Sequence, residues 1–353
     1  MPFSAHAAQA ESEPMKISVA MCTFNGEPYL QEQLNSFARQ TRPPDELVIC
    51  DDRSSDETLN IIDSFARTAR FSVHVSVNEQ TLGSTRNFEQ AVSRCSGDII
   101  ALSDQDDVWL PAKLALLEAQ FGKSARVGLV FSDAEVVDQD LRPTGRRMWN
   151  EVGFCQREKE LVKDSRALDV FLPGWTVTGA TMAFRSKFRD LILPIPADLP
   201  MIHDGWIALM IAAVAEVDYI DEPLILYRQH PQQQIGAPAK HDVSRANGET
   251  KLQSIKRATN RSNSYRDLII IIDEVLQRLR SRDDLQSLNL NTRKTLDERR
   301  KHLVARMQLP ASILVRLPVV LRELLSTRYS RFSNGTASAL KDLIKGNRPV
   351  SPV

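Results

Sequence analysis

Between Lys16 and Ser103 the chain alternates apolar, β-rich runs with helical patterns, and this alternation restricts its fold more than any other feature. Lys16 to Thr23, Glu46 to Cys50, Phe71 to Val77 and the run starting at Ile99 read as strands, each short and bounded by turn residues. Tyr29 to Thr41 carries Leu30, Leu34, Phe37 and Ala38 at helical spacing and stops at Arg42-Pro43-Pro44. Ser54 and Glu57 form the capping box of a second helix that runs through Ala69, and Ser84 to Arg94 is a third. A βαβαβαβ order with short connections gives a mostly parallel sheet with helices on both faces. Such sheets bind ligands outside the carboxyl ends of their strands. Asn25-Gly26, Asp51-Asp52 and Asp104 to Asp107 all fall at those ends, so three polar clusters converge on one crevice.

The last cluster packs three carboxylates into four positions, directly after an apolar strand and before Val108-Trp109. Crowded carboxylates repel one another and are costly to desolvate, so they either face solvent or hold a cation. Oxygen donors suit Mg²⁺ or Mn²⁺, hard ions that often carry a substrate diphosphate. The plainer alternative is a polar loop after an edge strand. No GxGxxG follows the first strand and no GxxxxGK[ST] occurs, so a diphosphate would be held by metal rather than by a glycine-rich turn.

Beyond the cluster the pattern predicts a helix over Pro111 to Phe121 and strands over Val127 to Ser132 and Ala134 to Val137. Gln139 to Asp164 is polar and weakly patterned, which predicts a loop over the crevice. Ala167 to Leu172 reads as a short helix, and Ala180 to Phe184 as a strand. Gly174 and Gly179 flank Trp175, which is either an aromatic platform or a Trp packed under a turn. His203-Asp204-Gly205-Trp206 opens an apolar helix, Ile207 to Val214, where an N-cap is the structural role for Asp204. Strands at Glu216 to Ile220 and Leu224 to Tyr227 lead to Arg228-Gln229-His230, read either as phosphate contacts or as structural residues.

The 353 residues suffice for one large domain with an appendage, and 42% hydrophobic with 25% charged residues is ordinary for a globular protein. Net charge is zero but unevenly placed: residues 251–353 hold 21 Lys/Arg against 9 Asp/Glu. Cys22, Cys50, Cys95 and Cys155 form no CxxC pair, which disfavours a disulfide framework or a zinc knuckle. Residues 1–14 lack a basic start and an apolar core, so a disordered tail is expected rather than a secretory signal, and the expected location is cytoplasmic. A catalytic body over 15–240 would be followed by a helical extension over 250–309 and a basic amphipathic tail over 310–353. The segment from Ile313 to Leu325, with Pro318 inside it, suits a membrane interface beside anionic headgroups; an arm packed on the body or a dimer contact are the alternatives. The basic end carries few aromatic residues, which speaks against nucleic-acid binding.

Taken in order, Cys22 to Gly26, Val48 to Asp56, Asn78 to Asn87 and Asp104-Gln105-Asp106-Asp107 resemble the inverting family 2 glycosyltransferases, over residues 16–236. Ser103 to Trp109, His203 to Trp206 and Tyr227 to His230 look most like bacterial rhamnosyltransferase-like members. The resemblance implies a GT-A fold, an α/β architecture with a Rossmann-like mixed sheet and helices on both faces, here with a C-terminal helical extension. It implies a nucleoside-diphosphate-sugar donor and a saccharide acceptor, lipid-linked in surface polysaccharide or O-antigen assembly. By the same resemblance Thr23, Asn25, Asp51 and Asp52 would line the nucleotide site, and Arg86 would lie near the diphosphate. Asp104 would contact ribose or a metal-bound water, Asp106 would bind Mn²⁺ or Mg²⁺, and Asp204 would be the catalytic base. Trp175, Gly179 and Trp206 would face the acceptor. The family's Gln-x-x-Arg-Trp motif is absent, so Arg228 and His230 would have to supply its phosphate contacts. Two other functions compete. Asp104-x-Asp106-x-Val108 also matches a haloacid-dehalogenase-like phosphatase nucleophile, although three βα units precede it, and a degenerate body could serve as a non-catalytic, membrane-docked partner.

Overall fold

A computed structural model describes residues 15–173, 176–231, 233, 265–282 and 286–345. The expected N-terminal tail, Trp175 and residues 251–264 of the extension lie outside the described residues. Strands β1 (Ile17–Thr23), β2 (Glu46–Asp51), β3 (Ser72–Val77) and β4 (Ile99–Ser103) pair in parallel, joined by α1 (Leu30–Ala38), α2 (Thr58–Ala66) and α3 (Ser84–Arg94). All seven residues of β1 are buried, and successive ones point to opposite faces of the sheet. Ile17, Val19 and Met21 meet Leu30, Leu34 and Phe37 of α1, whereas Ala20 and Cys22 join the layer containing Phe88 and Val92 of α3. Thus a period-2 strand buried on both faces is what places the two helical layers.

The remainder of the sheet is mixed. After β5 (Val108–Trp109) and α4 (Lys113–Gly122) come β6 (Val127–Val137), β7 (Pro143–Arg147), β8 (Met182–Arg185) and β9 (Glu216–Arg228), giving the order β3-β2-β1-β4-β8-β6-β9-β5 with β7 on β6. Strand β8 runs antiparallel to both β4 and β6, while β6 and β9 are parallel. Each pair of strands expected on either side of Ser132 and of Glu222 is one long strand. The segment expected as a loop over Gln139 to Asp164 instead forms β7, α5 (Met148–Val152) and α6 (Gln156–Lys163). Its sparse aromatics find partners only in space: Trp149 and Phe154 pack edge-on to Phe131 of β6. The capping box is corrected too, because α2 begins at Thr58 and the Ser54 hydroxyl is used by Asp51.

Helices α7 (Ala167–Phe171), α8 (Arg189–Ile192) and α9 (His203–Ala212) complete the body. The described extension is a helix pair, α10 (Tyr265–Arg280) and α11 (Gln286–Met307). Leu268, Ile271, Ile272, Val275, Leu276 and Leu279 lie on one stripe of α10 and are buried in the same core as Trp206 and Ile207. Each such side chain contributes about 1.5–3 kcal/mol when buried, so the pair is part of the body's core. Arg278 reinforces the contact, donating to the Leu191 and Leu193 carbonyls at 3.1 Å each and lying over the Trp206 ring. Three short helices follow: α12 (Ile313–Leu325), α13 (Arg328–Phe332) and α14 (Gly335–Lys345), around a separate small cluster of Leu309, Val320, Tyr329 and Ala339. Among the described residues no helix is long and apolar enough to cross a membrane.

Candidate active site

The carboxyl ends of β1, β2 and β4 form the floor of the site. The Asp51 carboxylate accepts the Thr23 hydroxyl at 2.7 Å, the Ser54 amide at 2.8 Å and the Ser54 hydroxyl at 2.6 Å. Asn25 sits at φ 47°, a conformation Asn tolerates, and its side chain accepts the Ser55 amide at 2.9 Å. Asp52 accepts Asn78 Nδ2 at 2.8 Å, the Leu82 amide at 2.7 Å and the Gly83 amide at 2.8 Å. Thr23, Asp51 and Asp52 therefore come together as expected residues of one pocket, but their side chains are buried and bonded to protein. What they present to the crevice is the backbone they hold in place.

Next to this floor, Gln105 Oε1 accepts the Phe24 amide at 2.8 Å and its Nε2 donates to the Phe24 carbonyl at 3.0 Å. Gly26 leaves room for that amide group, since a Cβ there would collide with the Gln105 side chain. Gly26→Ala should therefore displace Gln105 and cost about 1–3 kcal/mol, read as a lower Tm by differential scanning fluorimetry. From the other side, Gln33 Nε2 donates to Ser103 Oγ at 2.7 Å and to the Asp104 carbonyl at 3.3 Å. Gln33, Gln105 and Lys113 went unnoticed in the sequence, although a Gln on the apolar face of α1 was a readable signal.

Asp104 and Asp106 are half-buried, and Asp107 is fully buried. Burial, then the charges of Asp106 and Asp204, push the Asp104 carboxyl up to about 7, opposed by Lys113. Asp107 is held well above the carboxylate range by burial and by Asp106 and Asp104; its Oδ1 accepts the Arg228 amide at 3.1 Å. Lys113 is itself buried, which lowers its ammonium to about 7; it packs over the Trp109 ring at 3.9 Å and donates to the Ala180 carbonyl. Among the described residues no three His, Cys, Asp or Glu side chains are arranged to hold a metal. Two neighbouring carboxylates with unrelieved repulsion do fit a hard cation that takes its other ligands from substrate phosphates and water, as Mg²⁺ commonly does.

His230 Nε2 lies 2.9 Å from Asp106 Oδ2, and its ring packs on Tyr29. Arg228 corrects an expectation: only 2% exposed, it does not face a phosphate. Its Nε donates to the Asp106 carbonyl at 2.7 Å, one terminal nitrogen donates to the Gln139 carbonyl at 2.6 Å, and the other pairs with Glu32. Arg86, in the first turn of α3, is partly exposed and pairs with Glu89 at 2.7 Å.

Across the crevice Asp204 is the second residue of α9, one turn inside the N-cap Ile202, so it is not the cap. Its Oδ1 accepts the Gly205 amide at 2.6 Å and its Oδ2 the Gly179 amide at 3.2 Å. Burial pushes its carboxyl up to about 6, while those amides pull the other way. Gly179 is thus a wall of the Asp204 pocket, where a Cβ would lie 3.4 Å from the Asp204 Cβ. His203 is stacked on Phe88 at 4.1 Å, and burial alone pushes its pKa down to about 3, which keeps it neutral. Trp206 is a second correction: it is fully buried and its indole N–H donates to the Ile192 carbonyl at 2.9 Å, so it cannot face an acceptor.

Comparison with known proteins bears on this arrangement. Residues 18–190 match the family described as Glycosyl transferase family 2. The chain is 31% identical over 229 residues to the dTDP-rhamnosyl transferase RfbG of Shigella flexneri, covering 62% of this chain and 74% of that protein. It is 26% identical over 217 residues to an uncharacterized glycosyltransferase of Nostoc, alr2836, covering 61% of this chain and 65% of that one. Among solved structures, residues 1–349 of TarS from S. aureus, crystallised with UDP-GlcNAc, superpose with a TM-score of 0.53 at 17% identity, covering 95% of this chain and 93% of the other. That likeness establishes the GT-A fold.

Proposed function

The chain belongs to the family 2 glycosyltransferases, and from that premise we propose that it moves a sugar from a nucleoside diphosphate to an acceptor hydroxyl with inversion at the anomeric carbon. The observation that carries this is Asp204, a single carboxylate held by two backbone amides and raised to about 6, with its field reaching Asp104. A base near neutrality is matched to accepting a proton from a hydroxyl. In the proposed step Asp204 takes the acceptor proton, the acceptor oxygen bonds to the anomeric carbon, and the bond to the diphosphate oxygen breaks on the opposite face. Asp104 and Asp106 would hold Mg²⁺ or Mn²⁺, which when bound supplies positive charge to the leaving diphosphate. His230 orients Asp106, and Arg86 is placed to turn from Glu89 towards the phosphates. The relative's name supports dTDP-rhamnose as donor, and we take the acceptor to be a lipid-linked saccharide at the cytoplasmic face of a membrane. The phosphatase alternative fails, since Asp104 follows the fourth strand rather than the first and the family is one of sugar transfer.

A thermal-shift panel of UDP-, GDP- and dTDP-sugars with and without Mn²⁺ tests the donor half. One nucleotide sugar, dTDP-linked on this reading, should raise Tm by about 5 °C or more near a hundred times its Kd. Asp106→Ala should remove the part that depends on Mn²⁺. No shift with any of the three would remove the basis for the proposal.

A further inference from the structure

Helix α12 is folded with its polar face inward. Arg316, Val320 and Glu323, spaced four and three residues apart, face the small C-terminal cluster, with Arg316 only 4% and Glu323 1% exposed. The opposite stripe is Leu314, Leu317, Leu321 and Leu325, of which Leu314 is 81% and Leu325 86% exposed. A chance surface helix would show the reverse, because an amphipathic helix packs its apolar stripe on the core. The inversion is held by specific bonds. Glu323 pairs with His302 Nδ1 at 2.9 Å and with Arg328 at 2.9 Å, and Arg316 donates to the Asp342 and Ala311 carbonyls. Helix α14, which packs beside it, also turns Leu340 and Ile344 outward.

A second observation lies beside the stripe. A cleft of about 480 Å³ between α11 and α12 is lined by Arg300, Lys301, Arg322 and Arg328 with Glu323. Glu323 is already bonded to His302 and Arg328, Arg300 pairs with Asp273, and Lys301 with Glu298. Among the described residues Arg322 makes no ion pair or hydrogen bond. Over residues 300–345 there are nine Lys/Arg against two Asp/Glu. Exposed leucines flanked by a basic cleft match one environment closely: acyl chains for the leucines and phosphate headgroups for the arginines.

We propose that the outward stripe of α12, with the Arg300–Lys301–Arg322 cleft, is a docking surface for an anionic lipid bilayer. The leucines enter the headgroup–acyl boundary and the cleft takes lipid phosphates, so the helix lies in the plane of the interface. This surface is separate from the donor site and does not depend on the identity of the sugar.

The full chain should float with phosphatidylcholine vesicles containing phosphatidylglycerol, float little with phosphatidylcholine alone, and dissociate at high salt. Leu314→Ser/Leu321→Ser/Leu325→Ser should weaken vesicle binding about a hundredfold, because three exposed apolar side chains no longer insert. Arg300→Gln/Arg322→Gln should weaken it about tenfold or more and flatten its salt dependence. Both variants alter exposed residues, and both should keep the wild-type nucleotide-sugar thermal shift, which separates this surface from the donor reading. Failure of the wild type to bind anionic vesicles would overturn the proposal, as would undiminished binding by the leucine variant. It would equally be overturned by a solution dimer that the leucine substitutions dissociate without changing vesicle binding, since the stripe would then cover a second copy of the chain.

Discussion

Asp204→Asn is expected to reduce sugar transfer by about 10²–10⁴-fold while leaving the donor's thermal shift in place. The amide retains an oxygen for the Gly179 and Gly205 N–H groups, so the geometry of the pocket persists and only the proton acceptor is lost. Wild-type transfer should fall off on the acid side of about pH 6, the value to which burial raises this carboxyl, and the limb should be missing from the variant's residual rate. The same substitution has a stability signature of opposite sign. At low pH the carboxyl is protonated in both folded and unfolded chains. As pH rises from 3.8 through about 6, the unfolded chain releases its proton first, so the wild type loses stability that Asn keeps. The advantage of the variant should grow across that window to an upper bound of about 3 kcal/mol, visible as a higher Tm at pH 8 than wild type and a smaller gap at pH 4.5. A variant with normal turnover would assign the base elsewhere.

Arg228→Met should be the most damaging single change to the fold outside the apolar core. The guanidinium joins three parts of the chain: the Asp106 carbonyl, the Gln139 carbonyl and Glu32 on α1. Methionine retains much of the packing volume but donates nothing, leaving two carbonyls without their charged donor. Hydrogen bonds from a charged group contribute about 1.5–3 kcal/mol each, so a loss of about 3–5 kcal/mol is expected, or about 10 °C in Tm. Lys would not restore it, because a single ammonium cannot span three directions. The Asp106 loop loses an anchor, so Mn²⁺-dependent donor binding should weaken in parallel. Melting of the Met variant within about 1 °C of wild type would show that the guanidinium is not what joins the loop to α1.

The parallel half of the sheet was legible because its strands are buried on both faces and its helices keep a clean apolar stripe. Val19 and Ala20 point opposite ways, and both are apolar, which only a central strand requires. The second half was less legible because its order depends on contacts between distant residues. Asp133 accepts the Trp149 amide and pairs with Arg147, which fixes β7 and α5 against β6 although no local periodicity announces them. At the site, the acidic cluster and Asp204 were readable because carboxylates in such positions have few structural uses. Arg228 was not, since the sequence carries the charge but not the direction in which the guanidinium points. Helix α12 misleads for the same reason: its spacing is amphipathic, and only the partners of Arg316 and Glu323 reveal which face is inside.

The wall behind the Asp204 helix is supplied from far downstream, by Arg278 lying over Trp206 and by the buried aliphatic stripe of α10. A ribosome making this chain would release the whole transferase body before the segment that backs its general base exists. Domains usually fold as units during synthesis, at about 5–20 residues per second, so the nascent body waits several seconds with an open flank. Competence for sugar transfer is thereby deferred until nearly the end of translation, when the segment carrying the leucine stripe is also emerging.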